Sequence, residues 1–331
     1  MRKSNMSKQP FYHLRPNKCI DRTLFIQTLI GLSRQLPISD YRYTGFGSYT
    51  FEDFKLFHDT LNISSMVSLE REPNAYKRAE FNLPYGCIKV KNTGSTEYLS
   101  SLILDDGDHN IFWLDYVSPN ELGTQLADYA TLLNLLNPND IIRITLNANP
   151  SSLRDSDLPD ELHKTRLRVL KERVPEECFP NSIIPEDMTR GRYPSALLKI
   201  IKAITLQSLN DTPPYSPNFM FPLFSSVYAD GQQMLTFTGI VLDSHDRELD
   251  LRKVLSDFPH NTFSWDDLCR IEIPALTFLE ITELNKLLPN EDIRQQLIAQ
   301  FPFIFSPSNG QALDSYLSYY KYYPNYHQVS F

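Results

Sequence analysis

The residues best equipped for chemistry stand where apolar segments end. Gly45-Phe46-Gly47 follows the segment from Asp40 to Thr44, Glu70 closes the next one, and Gly94-Ser95, Asp115-Tyr116, and Asn147 with Asn149 close three more. Paired glycines let a backbone pass close to a ligand with no Cβ in the way. A carboxylate at the tip of the following strand can accept hydrogen bonds from both hydroxyls of a ribose. The 23-residue step from Gly47 to Glu70 suits that pairing. At Gly94 and Ser95 an adenine amine can be read. Asp115 can hold an ammonium or orient an acceptor, and as a base it would need its pKa raised by burial. Phe46, Tyr43 and Tyr116 are aromatic candidates for contact with a cationic group. Each of these has a structural alternative: a tight strand-to-helix turn at the glycines, a solvated Glu70 beside Arg71, an ordinary turn at Gly94 and Ser95, and a helix cap at Asp115.

No metal is expected. Asp115 with Asn147 and Asn149 is a thin oxygen set for a divalent cation. The four cysteines, Cys19, Cys87, Cys178 and Cys269, show no C-x-x-C spacing, which also argues against a disulfide framework and fits a reducing cytoplasm. His58 reads as a packed or surface residue and His109 as a loop residue.

These positions are held by alternating elements. Leu24, Phe25, Ile26, Leu29, Ile30 and Leu32 recur at helical spacing over 21–36, with Pro37 just beyond. Strand-like and helix-like segments then alternate: Asp40 to Thr44, 50 to 61, Ser65 to Glu70, 73 to 81, Cys87 to Lys91, 95 to 104, Ile111 to Asp115, 119 to 135, and Ile141 to Asn147. Such alternation predicts an α/β fold with a mostly parallel sheet and right-handed crossovers. Two long β-like runs, Phe219 to Tyr228 and Met234 to Leu242, flank Asp230-Gly231, the most direct hairpin signal in the chain. An antiparallel hairpin closing a parallel sheet suits a Rossmann-like class I methyltransferase better than a dehydrogenase, whose G-x-G-x-x-G would need its third glycine at Thr50.

The reading divides the chain into an N-terminal helical cap (1–37), an S-adenosylmethionine-binding core (38–149), a helical insertion (150–215), the hairpin completing the sheet (216–243) and a C-terminal helical, tyrosine-rich region (244–331). The insertion is expected over the strand ends, where it would govern selectivity. Ser264 with Asp267, and Thr277 with Glu280, have the spacing of capping boxes. Tyr316, Tyr319, Tyr320, Tyr322, Tyr323 and Tyr326 suggest a tail docked through amphipathic rings, or else a stacking or partner surface.

The 331 residues carry a net charge of -8, with a sequence pI of about 5.4. That disfavours broad nucleic-acid binding, which depends on Lys and Arg displacing counterions. Local basic runs remain at Arg2, Lys3, Lys8, Arg15 and Lys18, and at Lys164, Arg166, Arg168, Lys171 and Arg173. No apolar run approaches the length of about 18 residues that a membrane span needs, so a soluble, cytoplasmic protein is expected.

Several motifs in order resemble an uncharacterised bacterial family called putative O-methyltransferases, a branch of the class I S-adenosylmethionine-dependent enzymes. They are Leu14-Arg15-Pro16-Asn17-Lys18 with Asp21-Arg22, Tyr43-Thr44-Gly45-Phe46-Gly47 with Phe51-Glu52-Asp53-Phe54, and Ser68-Leu69-Glu70. Further along come Phe81-Asn82 with Pro84, Trp113-Leu114-Asp115-Tyr116, and Ile273-Pro274-Ala275-Leu276-Thr277. The resemblance implies methyl transfer from S-adenosylmethionine to an unidentified acceptor, with Gly45, Gly47, Glu70, Ser95 and Asp115 near the cofactor. Arg15 and Lys18 would meet the methionine carboxylate. Tyr43 departs from the acidic residue usual two positions before the first glycine. Asp115-Tyr116-Val117-Ser118-Pro119 is not the N/D-P-P-Y motif of base amino-methyltransferases, which disfavours DNA adenine methylation. The alternative is a methyltransferase-like fold without turnover, serving as a cofactor sensor or partner subunit.

Overall fold

The computed structural model describes residues 15–105, 107–153, 161–210, 218–290, 292–305 and 310–324. Arg2, Lys3, Lys8, Leu14 and Tyr326 lie outside them. The chain forms two compact units. The larger comprises Phe25–Val227 and Gln232–Cys269; the smaller comprises Met1–Leu24, Tyr228–Gly231 and Arg270–Phe331.

In the larger unit β1 (Arg42–Gly45), β2 (Ser65–Leu69), β3 (Ile88–Lys91), β4 (Asn110–Asp115) and β5 (Ile141–Asn147) are joined by α2 (Glu52–Leu61), α3 (Pro73–Phe81), α4 (Ser95–Ser100) and α5 (Leu122–Leu133). The first five strands pair in parallel in the order β3-β2-β1-β4-β5. The chain therefore leaves β1 toward β2 and later returns to β4 on the other side. A crevice at such a reversal, beyond the carboxyl ends of the strands, is where open α/β sheets bind ligands.

The hairpin forms as expected, from β6 (Phe219–Asp230) and β7 (Gln232–Leu242), turning at Gly231 with φ +105°. Only glycine takes that conformation at little cost. Its second strand inserts beside β5, running antiparallel from Ile141↔Ile240 to Asn147↔Met234, which leaves β6 outside it. A short strand within the region expected to be helical, β8 (Cys269–Ile271), completes the order β3-β2-β1-β4-β5-β7-β6-β8.

Helices cover both faces. On one, Leu126, Tyr129 and Leu133 of α5 pack in a single buried cluster with Phe112, Leu114, Ile142, Ile144 and Phe237. Positions 122, 126, 129 and 133 form the apolar stripe of an amphipathic helix. The 150–215 stretch supplies α6 (Leu162–Arg173) and α7 (Tyr193–Asn210). Leu197, Ile200, Ile201 and Ile204 of α7 join the same cluster, so the long helix lies on the sheet face rather than over the strand ends. Its apolar stripe buries more surface there than the polar strand ends could offer it. On the opposite face Phe25 of α1 (Pro16–Leu32) meets Trp113 edge-on at 5.7 Å, with Phe57 of α2 alongside. The guanidinium of Arg143, fully buried in β5, lies 4.6 to 5.3 Å from the rings of Phe25, Trp113 and Phe224 and donates to Thr238 Oγ1 at 2.6 Å.

Two boundaries differ for local reasons. α4 stops at Ser100, where Ser100 and Ser101 turn their hydroxyls back onto Glu97 O and offer the chain an alternative to further helix. No helix begins at Ser264. Trp265 stacks on Phe237 with ring centroids 4.4 Å apart, and Ser264 Oγ accepts from Asp266 N–H in a bend.

In the smaller unit Asp230 caps the start of α1, accepting from the backbone N–H of Asn17 at 3.2 Å and of Lys18 at 2.8 Å. Asn17 Oδ1 in turn accepts from Ile273 N–H at 2.9 Å. The capping box at Thr277 and Glu280 forms and begins α9 (Phe278–Asn285). α10 (Ile293–Gln300) and α11 (Gly310–Tyr319) follow, tied by Arg294 and Asp314. Two of the tail tyrosines dock: Tyr316 is fully buried, and the Tyr323 hydroxyl donates to Pro274 O while accepting from Leu276 N–H.

Candidate functional site

The loop after β1 is built on space rather than on glycine dihedrals. A Cβ on Gly45 would lie 2.5 Å from the Tyr43 hydroxyl, and one on Gly47 would lie 2.7 Å from both Phe51 Cδ1 and Ser68 Oγ. Ser68, on β2, accepts from Gly47 N–H at 3.0 Å and fixes the loop to the neighbouring strand. The left-handed residues are Ser48 (φ 51°) and Phe51 (φ 52°). For a bulky side chain that conformation is held only when the surroundings over-determine it. Phe51 meets the condition by full burial against Phe54. Tyr43 is also buried, packed edge-on against Phe54 and Phe57, so it fills the core beneath Gly45 instead of offering a face to a ligand.

Glu70 stands half-buried at the tip of β2. Its backbone N–H donates to Lys91 O, and Asn92 Nδ2 donates to Glu70 O at 2.8 Å and to Arg71 O at 3.2 Å, so the ends of β2 and β3 are braced together. The carboxylate accepts only a long bond on Oε1, from Glu72 N–H at 3.4 Å, and Oε2 has no hydrogen bond among the described residues. Burial raises its pKa above the usual glutamate value, with the Glu72 N–H pulling the other way. Arg71 reaches Glu121, beyond β4, at 3.7 Å.

A third group converges on a residue that the motifs did not indicate. Asp128 of α5, 4% exposed, accepts from Ser95 Oγ at 2.6 Å, Thr96 Oγ1 at 2.8 Å and the Tyr116 hydroxyl at 2.8 Å. Burial first, and then the Asp128 charge, push the Tyr116 phenol far above the usual tyrosine range. At neutral pH it is a fixed donor. The Tyr116 ring lies 5.5 Å from that of Phe46, which joins the β1 loop to the end of β4. Asp115, half-buried, is the last residue of β4. Asn147 Nδ2 lies 3.5 Å from Val117 O and its Oδ1 accepts from Asn149 N–H, while Asn149 caps the turn after β5 through Ser151. Both carboxamides are thus engaged in holding loop backbone.

Gly45, Phe46, Gly47, Glu70, Gly94, Ser95, Asp115 and Tyr116 all stand on the carboxyl edge of the larger unit's sheet. Of these three glycines Gly94 is the least constrained, since the one close contact a Cβ there would make is with the movable end of Glu97. Arg15 and Lys18 belong to the smaller unit, where Lys18 is buried at the start of α1. Asp128 was missed, although one signal was present: a carboxylate among Leu122, Leu126, Tyr129 and Leu132 on an apolar helix. His58 bonds Ile63 O and packs on Tyr85, and His109 stacks on Tyr41. No group of three His, Cys, Asp or Glu residues able to hold a metal occurs among the described residues.

The donor set fits S-adenosylmethionine. A half-buried carboxylate with an open oxygen suits a ribose diol, and the tightly packed loop bearing Phe46 brings backbone and an aromatic face to the same edge.

No curated protein matches this chain. Among solved structures, the N-methyltransferase NodS from Bradyrhizobium japonicum, in complex with S-adenosyl-L-homocysteine, is 9% identical. It covers 68% of this chain and 88% of its own, with a TM-score of 0.38. An O-methyltransferase from Klebsiella pneumoniae, described as putative, is 9% identical over 68% of this chain and 90% of its own, with a TM-score of 0.35. Fibrillarin in its complex with Nop5p is 13% identical, and this chain spans only 62% of its length, with 40% of this chain covered and a TM-score of 0.28. The profile of a family described as Putative O-methyltransferase matches residues 10–331. With nearly its whole length matched, on a mostly parallel sheet whose carboxyl edge carries this donor set, the chain belongs to that putative O-methyltransferase family of class I, S-adenosylmethionine-dependent enzymes.

Proposed function

We propose that the carboxyl edge of β1 to β4 holds S-adenosylmethionine and presents its methyl group to an acceptor beside Asp115. One observation carries the assignment. Around the reversal of strand order, the contacts Gly47–Ser68, Glu70–Asn92, Phe46–Tyr116 and Tyr116–Asp128–Ser95 all lie along a single edge. In this reading Glu70 takes the ribose hydroxyls, the Gly94-Ser95 turn borders the adenine, and the Gly45–Gly47 backbone passes under the methionine portion. Phe46 and Tyr116 face the sulfonium. Asp115 orients the ammonium or the acceptor.

The bound cofactor supplies an electrophilic methyl group, and transfer is an in-line displacement that needs alignment and exclusion of water more than a strong base. Asp115 therefore acts by placement. Tyr116, with its hydroxyl committed to Asp128, serves through its ring rather than as a proton carrier.

The acceptor we favour is not nucleic acid, and the setting is cytoplasmic. Two of the five cations of α6 are paired with carboxylates, Lys164 with Glu161 and Arg168 with Glu172. With a net charge of -8 over the chain, that disfavours release of counterions from a phosphate backbone. Among the described residues no helix is long and apolar enough to cross a membrane.

Calorimetry with S-adenosylmethionine and S-adenosylhomocysteine tests the reading. Glu70→Ala, folded, is expected to bind about tenfold or more weakly, as loss of hydrogen bonds to a charged group implies. Unchanged affinity would remove Glu70 from the site. A wild type that binds neither compound would point instead to a partner subunit without turnover.

A further inference from the structure

Ser95 and Thr96 open α4, Tyr116 follows β4, and Asp128 lies two turns into α5. All three hydroxyls donate to one carboxylate, at 2.6, 2.8 and 2.8 Å. A buried carboxylate is costly unless its oxygens are satisfied, and here hydroxyls alone satisfy it on both oxygens. The arrangement exceeds what holding two helices together requires. The same pair of helices already meets through apolar contacts, with Tyr98 and Leu99 of α4 in one cluster with Leu126 and Tyr129 of α5. Of the three donors only Tyr116 belongs to neither helix, and its ring lies 5.5 Å from that of Phe46.

We propose that Asp128 is a positioning residue for the cofactor. By accepting from Ser95, Thr96 and Tyr116 at once, it sets the Tyr116 ring and the first turn of α4 as two fixed walls of one slot. The inference rests on the reading of this edge as the S-adenosylmethionine site. Asp128 itself touches the walls and not the cofactor. Release of the carboxylate frees the Tyr116 side chain to rotate about χ1, and the slot must then be ordered again at each binding event.

The test is a double-mutant cycle on S-adenosylhomocysteine affinity, with Asp128→Asn, Tyr116→Phe and the combined variant measured by calorimetry beside the wild type and Glu70→Ala. Each single substitution is expected to weaken binding by about tenfold. The double variant is expected to be no weaker than the worse single one, because both remove the same contact. A carboxylate that merely held the helices would lower the melting temperature and leave the affinity of the folded protein unchanged; that result, or fully additive losses, overturns the proposal. Should Asp128→Asn not fold, Tyr116→Phe decides alone, since it leaves the carboxylate with Ser95 and Thr96, and wild-type affinity there also overturns it. The two readings fail differently. A wild type that does not bind sinks the cofactor site itself, whereas binding lost in Glu70→Ala but kept in both new variants sinks only the role of Asp128.

Discussion

At the residue scale, Gly45 and Gly47 are constrained by their neighbours and not by their dihedral angles. The atoms that a methyl group would strike, the Tyr43 hydroxyl and the Phe51 ring, belong to buried side chains with no room to move aside. Gly45→Ala and Gly47→Ala should each destabilise the protein by about 1–3 kcal/mol, the usual cost of overpacking. Gly94→Ala, which displaces only the end of Glu97, should cost less than about 1 kcal/mol. Urea unfolding of the three variants checks the order, and equal losses would refute the packing argument. Tyr43 follows from the same geometry. It stands two positions before Gly45, and its buried ring supports the loop from below. The glycine pair was legible as a loop signal, but the reason for each glycine was not, because its partners are 2 to 21 positions away in sequence.

At the scale of elements, the first turn of α1 depends on the tip of the hairpin. Asp230 receives the N–H groups of Asn17 and Lys18, and an N-terminal carboxylate also suits the helix dipole. Asp230→Ala should destabilise the smaller unit by about 0.5–2 kcal/mol, the range for a lost cap. Hydrogen exchange should quicken at Asn17 and Lys18 while the protection of β4 and β5 is unchanged. Uniform loss of protection would show that the cap serves more than this unit. Two of the motifs that define the resemblance, Arg15-Pro16-Asn17-Lys18 and Ile273-Pro274-Ala275-Leu276-Thr277, meet here through Asn17 Oδ1 and Ile273 N–H. Their joint presence therefore has a structural cause, apart from any role at the cofactor.

At the scale of the whole molecule, Asp140 links stability to pH. It is fully buried immediately before β5, and burial pushes its carboxyl up to about 6 against the pull of N–H donors from Asn137 and Asn110. Its folded pKa exceeds the unfolded value of 3.8. Its contribution is therefore full below about pH 4 and lost as the pH rises through about 6, a change on the order of 3 kcal/mol. Asp140→Asn should remove that slope, so the stability of the variant relative to wild type should rise between pH 4 and pH 7. Melting curves at several pH values measure it, and a constant difference would assign the slope to other groups.

The sequence by itself determined the succession of elements and the edge on which the candidate residues stand. Uninterrupted apolar runs such as Ile111-Phe112-Trp113-Leu114, bounded by turn residues, mark buried strands, the glycine pair ends one, and Asp230-Gly231 turns a hairpin. Periodicity and local turn chemistry are written in adjacent residues. The tertiary structure decided where the hairpin inserts, that α7 covers the sheet face, that Tyr43 faces the core, and that Asp128 gathers Ser95, Thr96 and Tyr116. Each of these depends on contacts between residues far apart in the chain, and a single sequence carries no local mark of which distant hydroxyl will satisfy a buried carboxylate.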